Sequence, residues 1–361
     1  MNALCQRLAG LIAAQGPLSV AQFMAAALMD PDYGYYTHQT PFGEQGDFIT
    51  APEISQMFGE LLGLWLVHTW RDQGSASSVQ LIELGPGRGT MMADVLRAAA
   101  RVAPKFLAAV KITLIEASPR LRAEQQQRLA AAPAPVNWSA TLKLDALTEP
   151  VFVLANEFFD ALPVRQFLRL GEKWHERVVT AGPDGNLEFA IAPMAAQALT
   201  PTPGRPPARE GDLFELCPSG LALCENLAAT IARHGGAALI VDYGYDATAG
   251  FGDTLQGLQA HRYVPVLEAP GEADVTAHVD FGALAGAARH GGAAVYGPRP
   301  QGLFLNALGI EQRCAALMQS APDATEILRR QLQRLCAVDE MGQLFKALAL
   351  LPQHAPQPEG F

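Results

Sequence analysis

The sequence predicts an α/β fold with a doubly wound parallel sheet, because short apolar runs alternate with helical segments and the first run ends in a glycine-rich turn. The run at 151–155, VFVLA, is apolar throughout, which is typical of a central strand that helices cover on both faces. Helices are predicted at 91–102, from Ser118 onward and near 219–234. The predicted strands lie at 79–84, 111–115, 136–138, 151–155, 238–242, 293–296 and 345–350. We expect the last strand to return to an edge of the sheet.

Helical and β-rich segments precede and interrupt this predicted sheet. Apolar residues recur at helical spacing before residue 75, which predicts a helical N-terminal cap. Strand-like stretches at 164–170, 174–180 and 187–192 predict a three-strand meander, and a proline-rich loop follows them. The predicted organisation is a cap at 1–75, a first part of the core at 76–163, a β-meander insertion with its loop at 164–210, a second part of the core at 211–351 and a tail at 352–361.

The composition favours a globular intracellular protein whose partner is basic or whose ligand is a cation. The 361 residues are 49% hydrophobic and 17% charged, and 36 acidic residues against 26 basic ones give a formal net charge of −10. An acidic chain gains little from a nucleic-acid backbone, so nucleic acid is not an expected partner. Five dispersed cysteines without a CxxC pair predict reduced thiols and no metal site. The apolar stretch 61–67 is too short to cross a bilayer, so we expect no membrane insertion and a cytoplasmic location.

The turn after the first predicted strand is the most informative segment. Its glycines are Gly85, Gly87 and Gly89, and an acid, Glu83, stands two residues before the first of them. A dinucleotide fingerprint needs a small third residue where Thr90 stands, and an anionic pyrophosphate gains nothing from Glu83. S-adenosylmethionine carries an ammonium and a sulfonium and no phosphate. The balance of charge therefore favours this methyl donor as the cofactor, and the turn resembles that of class I methyltransferases.

A second acid, Glu116, ends the second predicted strand in the segment LIEAS. A carboxylate at this position can accept both hydroxyls of a ribose, and nicotinamide enzymes use an acid at the same place. Glu116 therefore predicts a nucleoside ligand without choosing between the two cofactors.

Polar residues also follow the fourth predicted strand, where the reacting groups of open α/β sheets gather. Asn156, Glu157 and Asp160 lie within one turn of its end, and helix capping by Asn156 and Asp160 is the structural alternative. For a guanidinium acceptor, Glu157 is the leading candidate to hold it, with Asp160 or Glu53 as its partner and Asn156 positioning it through its amide. The loop before Glu53 adds three candidate cofactor-binding residues, Gly46, Asp47 and Phe48.

His278 lies near acidic residues in the segment DVTAHVDF and could be interpreted as a metal ligand. Helix capping by Thr276 or Asp280 explains this segment better, so we assign no metal.

Several long motifs resemble those of the MidA family, the bacterial and mitochondrial relatives of a respiratory complex I assembly factor. The resemblance spans residues 5–350. The motifs, in order, are GDFITAPEISQMFGE (46–60), ELGPGRG (83–89), LANEFFDALPVRQF (154–167), VDYG (241–244) and DVTAHVDF (274–281).

The resemblance implies a Rossmann-like class I methyltransferase sheet and S-adenosyl-L-methionine as the cofactor. For the mitochondrial members it implies arginine methylation on a complex I subunit, and thus a protein substrate; a eukaryotic member would lie in the mitochondrial matrix. Two other hypotheses remain: a non-catalytic assembly chaperone that keeps the donor site, and a nicotinamide-dependent oxidoreductase built on the same sheet.

Overall fold

The computed structural model describes residues 1–38, 49–196, 199, 201, 203–246 and 248–361. The chain divides into two compact units, and each is assembled from three separate segments. The first, which we call the small unit, consists of Met1–Phe48, Asp160–Ala222 and Tyr245–Ala283. The second, the sheet unit, consists of Ile49–Phe159, Leu223–Gly244 and Leu284–Phe361. The segment 1–75, expected to form one cap, is thus shared between the two units, whereas 164–210 belongs wholly to the small unit.

Within the described residues, seven strands follow one another along the main path of the central sheet. They are β1 (Val79–Leu84), β2 (Val110–Ile115), β3 (Val136–Ser139), β4 (Val151–Asn156), β5 (Gly236–Tyr245), β6 (Ala294–Pro300) and β7 (Phe345–Leu351). Their order is β6-β7-β5-β4-β1-β2-β3. The strands β1 to β5 pair in parallel, and β7 is antiparallel to both β5 and β6.

The prediction that the last strand lies at a sheet edge is wrong, because β7 is inserted between β5 and β6. The physical reason is its side chains: residues 347–351 are ALALL, and each is at most 1% exposed. A strand with no polar face is stable only where the sheet covers both its edges and helices cover its faces.

Helices pack against this sheet, and a hydrophobic core joins apolar side chains of the helices and the strands. The helix Gln56–Asp72 starts at Ser55, whose hydroxyl accepts the Met57 N–H at 3.3 Å, and it contributes Trp65 to the core. The remaining helices in or bordering this unit are Ala51–Ile54, Thr90–Val102, Pro104–Ala109, Pro119–Arg128, Pro218–His234, Phe281–His290, Gln301–Ala307, Ile310–Ser320, Thr325–Cys336 and Met341–Leu344, with 3₁₀ turns at Leu144–Ala146 and Pro322–Ala324.

The small unit combines an N-terminal helical pair with antiparallel strands. The helix Val20–Met29 begins with a capping box between Ser19 and Gln22 and buries Phe23 and Met24 in the core of this unit. The predicted meander is present, with strands whose neighbours pair antiparallel. The elements of this unit are the helices Ala3–Gln15, Val20–Met29 and Tyr35–His38 and the strands Leu18–Ser19, Arg165–Leu170, Lys173–Ala181, Leu187–Ala195, Leu213–Leu216, Gln256–Gln259, Arg262–Val264, Asp274–Thr276 and Val279–Asp280.

The C-terminal residues pack against the sheet unit. The Trp65 indole N–H donates to the Glu359 carbonyl at 3.1 Å, and Arg299 donates to the Gly360 carbonyl at 2.7 Å. The Phe361 ring lies 5.2 Å from the ring of the buried Phe304. The expected tail is therefore a packed part of this unit. In the described part of the chain, no helix is long and apolar enough to cross a membrane.

Candidate cofactor and transfer site

The glycine-rich turn joins β1 to the helix Thr90–Val102 with three residues in the left-handed region. The φ angles are +61° at Gly85, +53° at Gly87 and +78° at Gly89. A Cβ atom at Gly85 would lie 2.8 Å from the Phe158 ring, so this position also leaves no space for a side chain. The turn therefore requires glycine for its conformation, and it presents backbone without side chains at Gly85, Gly87 and Gly89.

Glu83 is the penultimate residue of β1, and its side chain is almost completely buried, at 1% exposure. Its Oε2 atom has no hydrogen-bond partner among the described residues. Burial, with a smaller contribution from the charge of Glu116, raises the pKa of Glu83 from 4.5 to about 8. A buried carboxyl that has no partner for Oε2 among the described residues and lies next to the glycine turn fits a ligand with a positive group, such as the ammonium of S-adenosylmethionine.

Glu116 follows β2 and is held in place by two donors. Its Oε1 accepts the Ser118 N–H at 2.8 Å, and its Oε2 accepts the Gln125 amide at 3.2 Å. Burial raises the pKa of Glu116, and these hydrogen bonds oppose the rise. The carboxylate is thereby fixed at the carboxyl end of the sheet, where the sequence predicts a ribose partner.

Gln125 is a candidate site residue that the sequence did not reveal. Its amide nitrogen also donates to the Gly87 carbonyl at 2.7 Å, and its amide oxygen accepts the Trp138 indole N–H at 2.9 Å. This fully buried side chain thus links the glycine turn to Glu116. The available signal was weak: Gln125 lies one turn after the buried Leu121, whereas the other two glutamines of the run are exposed.

The turn after β4 holds a non-glycine residue in the left-handed region, because Glu157 has φ +49°. Its N–H donates to the Val241 carbonyl at 2.9 Å. The next two N–H groups, of Phe158 and Phe159, both donate to Oδ2 of the fully buried Asp242, at 3.1 and 3.0 Å. These contacts maintain a conformation that costs free energy, and such strain concentrates at functional sites.

The Glu157 carboxylate lies among polar groups. Its Oε1 accepts the Ala51 N–H at 3.1 Å and the Asn156 amide at 3.0 Å. Asn156 is 8% exposed, and its own amide oxygen has no hydrogen-bond partner among the described residues. Asn156 is the last residue of β4, and no helix follows it, so the capping alternative is wrong for this residue. The unpartnered amide oxygen instead fits a ligand N–H.

Glu53 lies in the short helix Ala51–Ile54 and contacts the glycine turn. It accepts the Thr90 hydroxyl, and its other oxygen is 3.6 Å from the Arg88 guanidinium. Since Glu157 bonds the first N–H of the same helix, this element connects the turn after β1 with the turn after β4.

The structure places most, but not all, of the predicted site residues in one unit. Asp160 belongs to the small unit, as the first residue of its second segment; it is 6% exposed, and its carbonyl accepts the Ala277 N–H at 3.0 Å. Gly46, Asp47 and Phe48 lie outside the described residues. The candidates in the sheet unit are Glu53, Glu83, Gly85, Gly87, Gly89, Glu116, Asn156 and Glu157.

The segment around His278 is explained by capping. Asp280 accepts the Ala283 N–H at 2.9 Å at the start of the helix Phe281–His290, and the His278 N–H donates to the Thr254 hydroxyl at 2.9 Å. Burial lowers the pKa of His278. Within the part of the chain that the structure describes, no group of three His, Cys, Asp or Glu side chains could hold a metal ion.

Curated proteins resemble this chain over most of its length. Residues 61–299 match the model of a family described as S-adenosyl-L-methionine-dependent methyltransferase. The mitochondrial protein arginine methyltransferase NDUFAF7 of Rattus norvegicus is 40% identical over 370 residues, which cover 94% of this chain and 82% of the relative. The Drosophila melanogaster homologue is 37% identical, with 97% and 85% covered.

A solved structure shows the same likeness in three dimensions. A protein from Burkholderia thailandensis, crystallised with bound S-adenosyl-homocysteine, is 28% identical, and the match covers 99% of this chain and 94% of that chain. Its TM-score is 0.85, which confirms the predicted fold class.

Proposed function

Because the chain belongs to the family of S-adenosyl-L-methionine-dependent methyltransferases that includes the NDUFAF7 proteins, we propose that it methylates an arginine side chain of a protein. Family membership confirms the predicted cofactor and the predicted enzyme class, and it removes the nicotinamide alternative. The proposed substrate is a subunit of respiratory complex I or a similar protein. The proposed location is the bacterial cytoplasm, or the mitochondrial matrix in a eukaryote, and the curated relatives are mitochondrial proteins.

Residues at the ends of β1 and β2 are the proposed cofactor contacts. S-adenosylmethionine supplies a methyl group already activated on a sulfonium. Glu83 offers its unpartnered oxygen to the ammonium, and Glu116 offers its carboxylate to the ribose hydroxyls. The backbone of Gly85, Gly87 and Gly89 allows close approach, and Gly46, Asp47 and Phe48 are proposed to add contacts from the preceding loop.

The observation that carries the acceptor proposal is the strained Glu157 beside an unpartnered amide oxygen. A guanidinium is a planar cation with several N–H donors, so a carboxylate and an amide oxygen can hold it in one orientation. Glu157 supplies the charge, and Asn156 supplies the amide oxygen. Asp160 or Glu53 is the proposed second acid. Because the methyl group is already activated, the main contribution of these residues is alignment of one nitrogen.

The test measures methyl transfer by the wild type and by Glu157→Gln. The reactants are S-adenosylmethionine labelled in its methyl group and an arginine-containing subunit of complex I. We expect label in methylarginine after hydrolysis of the wild-type product. In the variant, we expect a loss of transfer of at least a hundredfold with unchanged donor affinity by calorimetry. The matched control is Glu326→Gln, which makes the same change at an exposed site on the helix Thr325–Cys336.

Each outcome separates the hypotheses. Near-wild-type turnover by Glu157→Gln would remove this residue from the transfer step. A wild type that binds the donor and the subunit, yet transfers no label to arginine, would favour the assembly-chaperone hypothesis.

A further inference from the structure

The small unit contains a buried arginine whose charged group lies among aromatic rings. The Arg205 side chain is only 3% exposed. Its guanidinium carbon lies 5.0 Å from the ring centre of Tyr245, 5.4 Å from that of Phe251 and 5.5 Å from that of Phe214. Aromatic faces attract cations at these distances, and the attraction increases when water is excluded.

Acceptors complete the surroundings of this guanidinium. One terminal nitrogen donates to Asp280 at 2.6 Å, and the other donates to the carbonyls of Gly250 at 2.5 Å and Ala249 at 3.4 Å. The second oxygen of Asp280 caps a helix through Ala283, which fixes the carboxylate in place. A planar fork of donors satisfies this set of acceptors, whereas a lysine ammonium cannot reach them all.

The residues on either side of Arg205 are exposed, although the Arg205 guanidinium is buried. Its chain neighbours Pro203, Gly204, Pro206 and Pro207 are all exposed. The segment borders a cavity of about 900 Å³, a volume typical of ligand sites. We call residues 203–207 the strap. Within the strap, the buried side chain of Arg205 attaches an otherwise exposed segment to the small unit. One donor of the Arg205 side chain is unsatisfied, because its buried Nε–H has no acceptor among the described residues.

We propose that Phe214, Tyr245, Phe251 and Asp280 form a guanidinium-binding site, which Arg205 fills in the free protein and which an arginine side chain of the protein substrate enters when the strap is released. The choice of arginine as the incoming side chain rests on the proposed function. Exchange replaces one guanidinium by another in the same contacts, so the two compete mainly by concentration. A tethered side chain competes at millimolar or higher effective concentration, and a bound protein substrate can match it.

The test removes the internal competitor and supplies a small replacement. The variant is Arg205→Ala, and the probe is N-acetyl-arginine methylamide, with N-acetyl-lysine methylamide at equal ionic strength for comparison. We expect saturable binding of the arginine probe to the variant, at least tenfold tighter than the lysine probe, and no saturable binding to the wild type. The matched control is Arg209→Ala, which removes an exposed arginine from the same loop and should behave as the wild type.

Other outcomes are also decisive. A folded Arg205→Ala that binds both probes equally, or neither, would show that the proposed guanidinium-binding site is only a structural ion pair. If Arg205→Ala is too unstable to purify, Arg205→Lys keeps a cation in the guanidinium-binding site. Only the arginine probe should then raise the melting temperature of this variant. Both readouts are binding without methyl transfer. Failure of arginine methylation would thus overturn the proposed function while leaving the measurement of probe binding intact.

Discussion

Glu83 is a buried acid whose pKa is raised by its surroundings. Its pKa of about 8 means that the free protein holds it protonated at neutral pH, although a glutamate ordinarily ionises near 4.5. Below pH 4.5 the group is protonated in both the folded and the unfolded chain. Between pH 4.5 and 8 only the unfolded chain releases the proton, so the stability of the free protein falls as pH rises. The donor's positive charge would reverse this disadvantage by stabilising the ionised carboxylate.

The corresponding prediction concerns Glu83→Gln in the absence of the donor. The neutral amide cannot ionise, so relative to the wild type the variant should gain about 3 to 5 kcal/mol in free energy of unfolding between pH 5 and pH 8.5. Urea unfolding at both pH values measures this difference. Equal pH slopes for the two proteins would contradict the assignment of a raised pKa to Glu83.

The same substitution should weaken donor binding. Loss of a charge-assisted hydrogen bond to the ammonium corresponds to about 1.5 to 3 kcal/mol, or roughly a 10- to 150-fold lower affinity for S-adenosylmethionine. Calorimetric titration of the wild type and of the exposed-site control Glu326→Gln provides the comparison. An unchanged affinity in Glu83→Gln would exclude Glu83 as a donor contact.

At the scale of elements, the helix Pro119–Arg128 reaches the backbone of the glycine turn through the side chain of Gln125. Replacement by alanine leaves the Gly87 carbonyl and the Trp138 indole N–H without their partner, and it frees one oxygen of Glu116. We expect Gln125→Ala to lower the free energy of unfolding by about 2 to 4 kcal/mol and to lower donor affinity about tenfold. Chemical unfolding and calorimetry measure the two effects.

The neighbouring Gln126→Ala is the matched control, because Gln126 lies on the same helix with an exposed side chain. It should change neither quantity. If Gln125→Ala retains full affinity, the link between the helix and the turn has no part in binding the donor.

The extent of successful sequence prediction differs between these elements. The glycine turn and its acid could be predicted, because left-handed glycines and the adjoining Glu83 lie within one short segment. The roles of Gln125 and Asp242 could not, because each depends on side chains that meet across separate elements. One of three consecutive glutamines is selected only by the packing of its helix. Likewise, an acid at the end of β5 becomes the anchor of the turn after β4 only once the two strands pair.

At the scale of the whole molecule, the C-terminal residues contribute to the stability of the sheet unit. Removal of residues 359–361 deletes the Phe361 ring from its place against Phe304 and leaves the Trp65 indole N–H without its carbonyl partner. We expect this truncation to lower the free energy of unfolding by about 2 kcal/mol or more. Thermal unfolding followed by calorimetry measures the change.

Glu359→Ala separates backbone from side-chain effects. Trp65 donates to the backbone carbonyl at position 359, and the Glu359 side chain is exposed. This variant should therefore have the same melting temperature as the wild type. A truncated protein as stable as the wild type would show that the final contacts are energetically neutral.

The strands β1 to β7 could be located from the sequence, whereas their grouping in space could not, and the helices Gln301–Ala307, Ile310–Ser320 and Thr325–Cys336 were not predicted. Hydrophobic period reports which residues form a strand, and for that reason β1 to β7 were all located. It does not report which strands become neighbours, so the interior position of β7 was missed. The division of 1–75 between two units was missed for the same reason, because it depends on contacts between distant segments.

The interior position of β7 has a consequence for biosynthesis. Residues 345–351 are made after β5 and β6, yet they pair with β5 on one side and β6 on the other. Until they leave the ribosome, β5 presents an open edge and β6 lacks a partner within this sheet. A growing chain therefore carries an unsealed sheet edge from the synthesis of β5 to that of β7, and during that interval it is exposed to pairing with other chains.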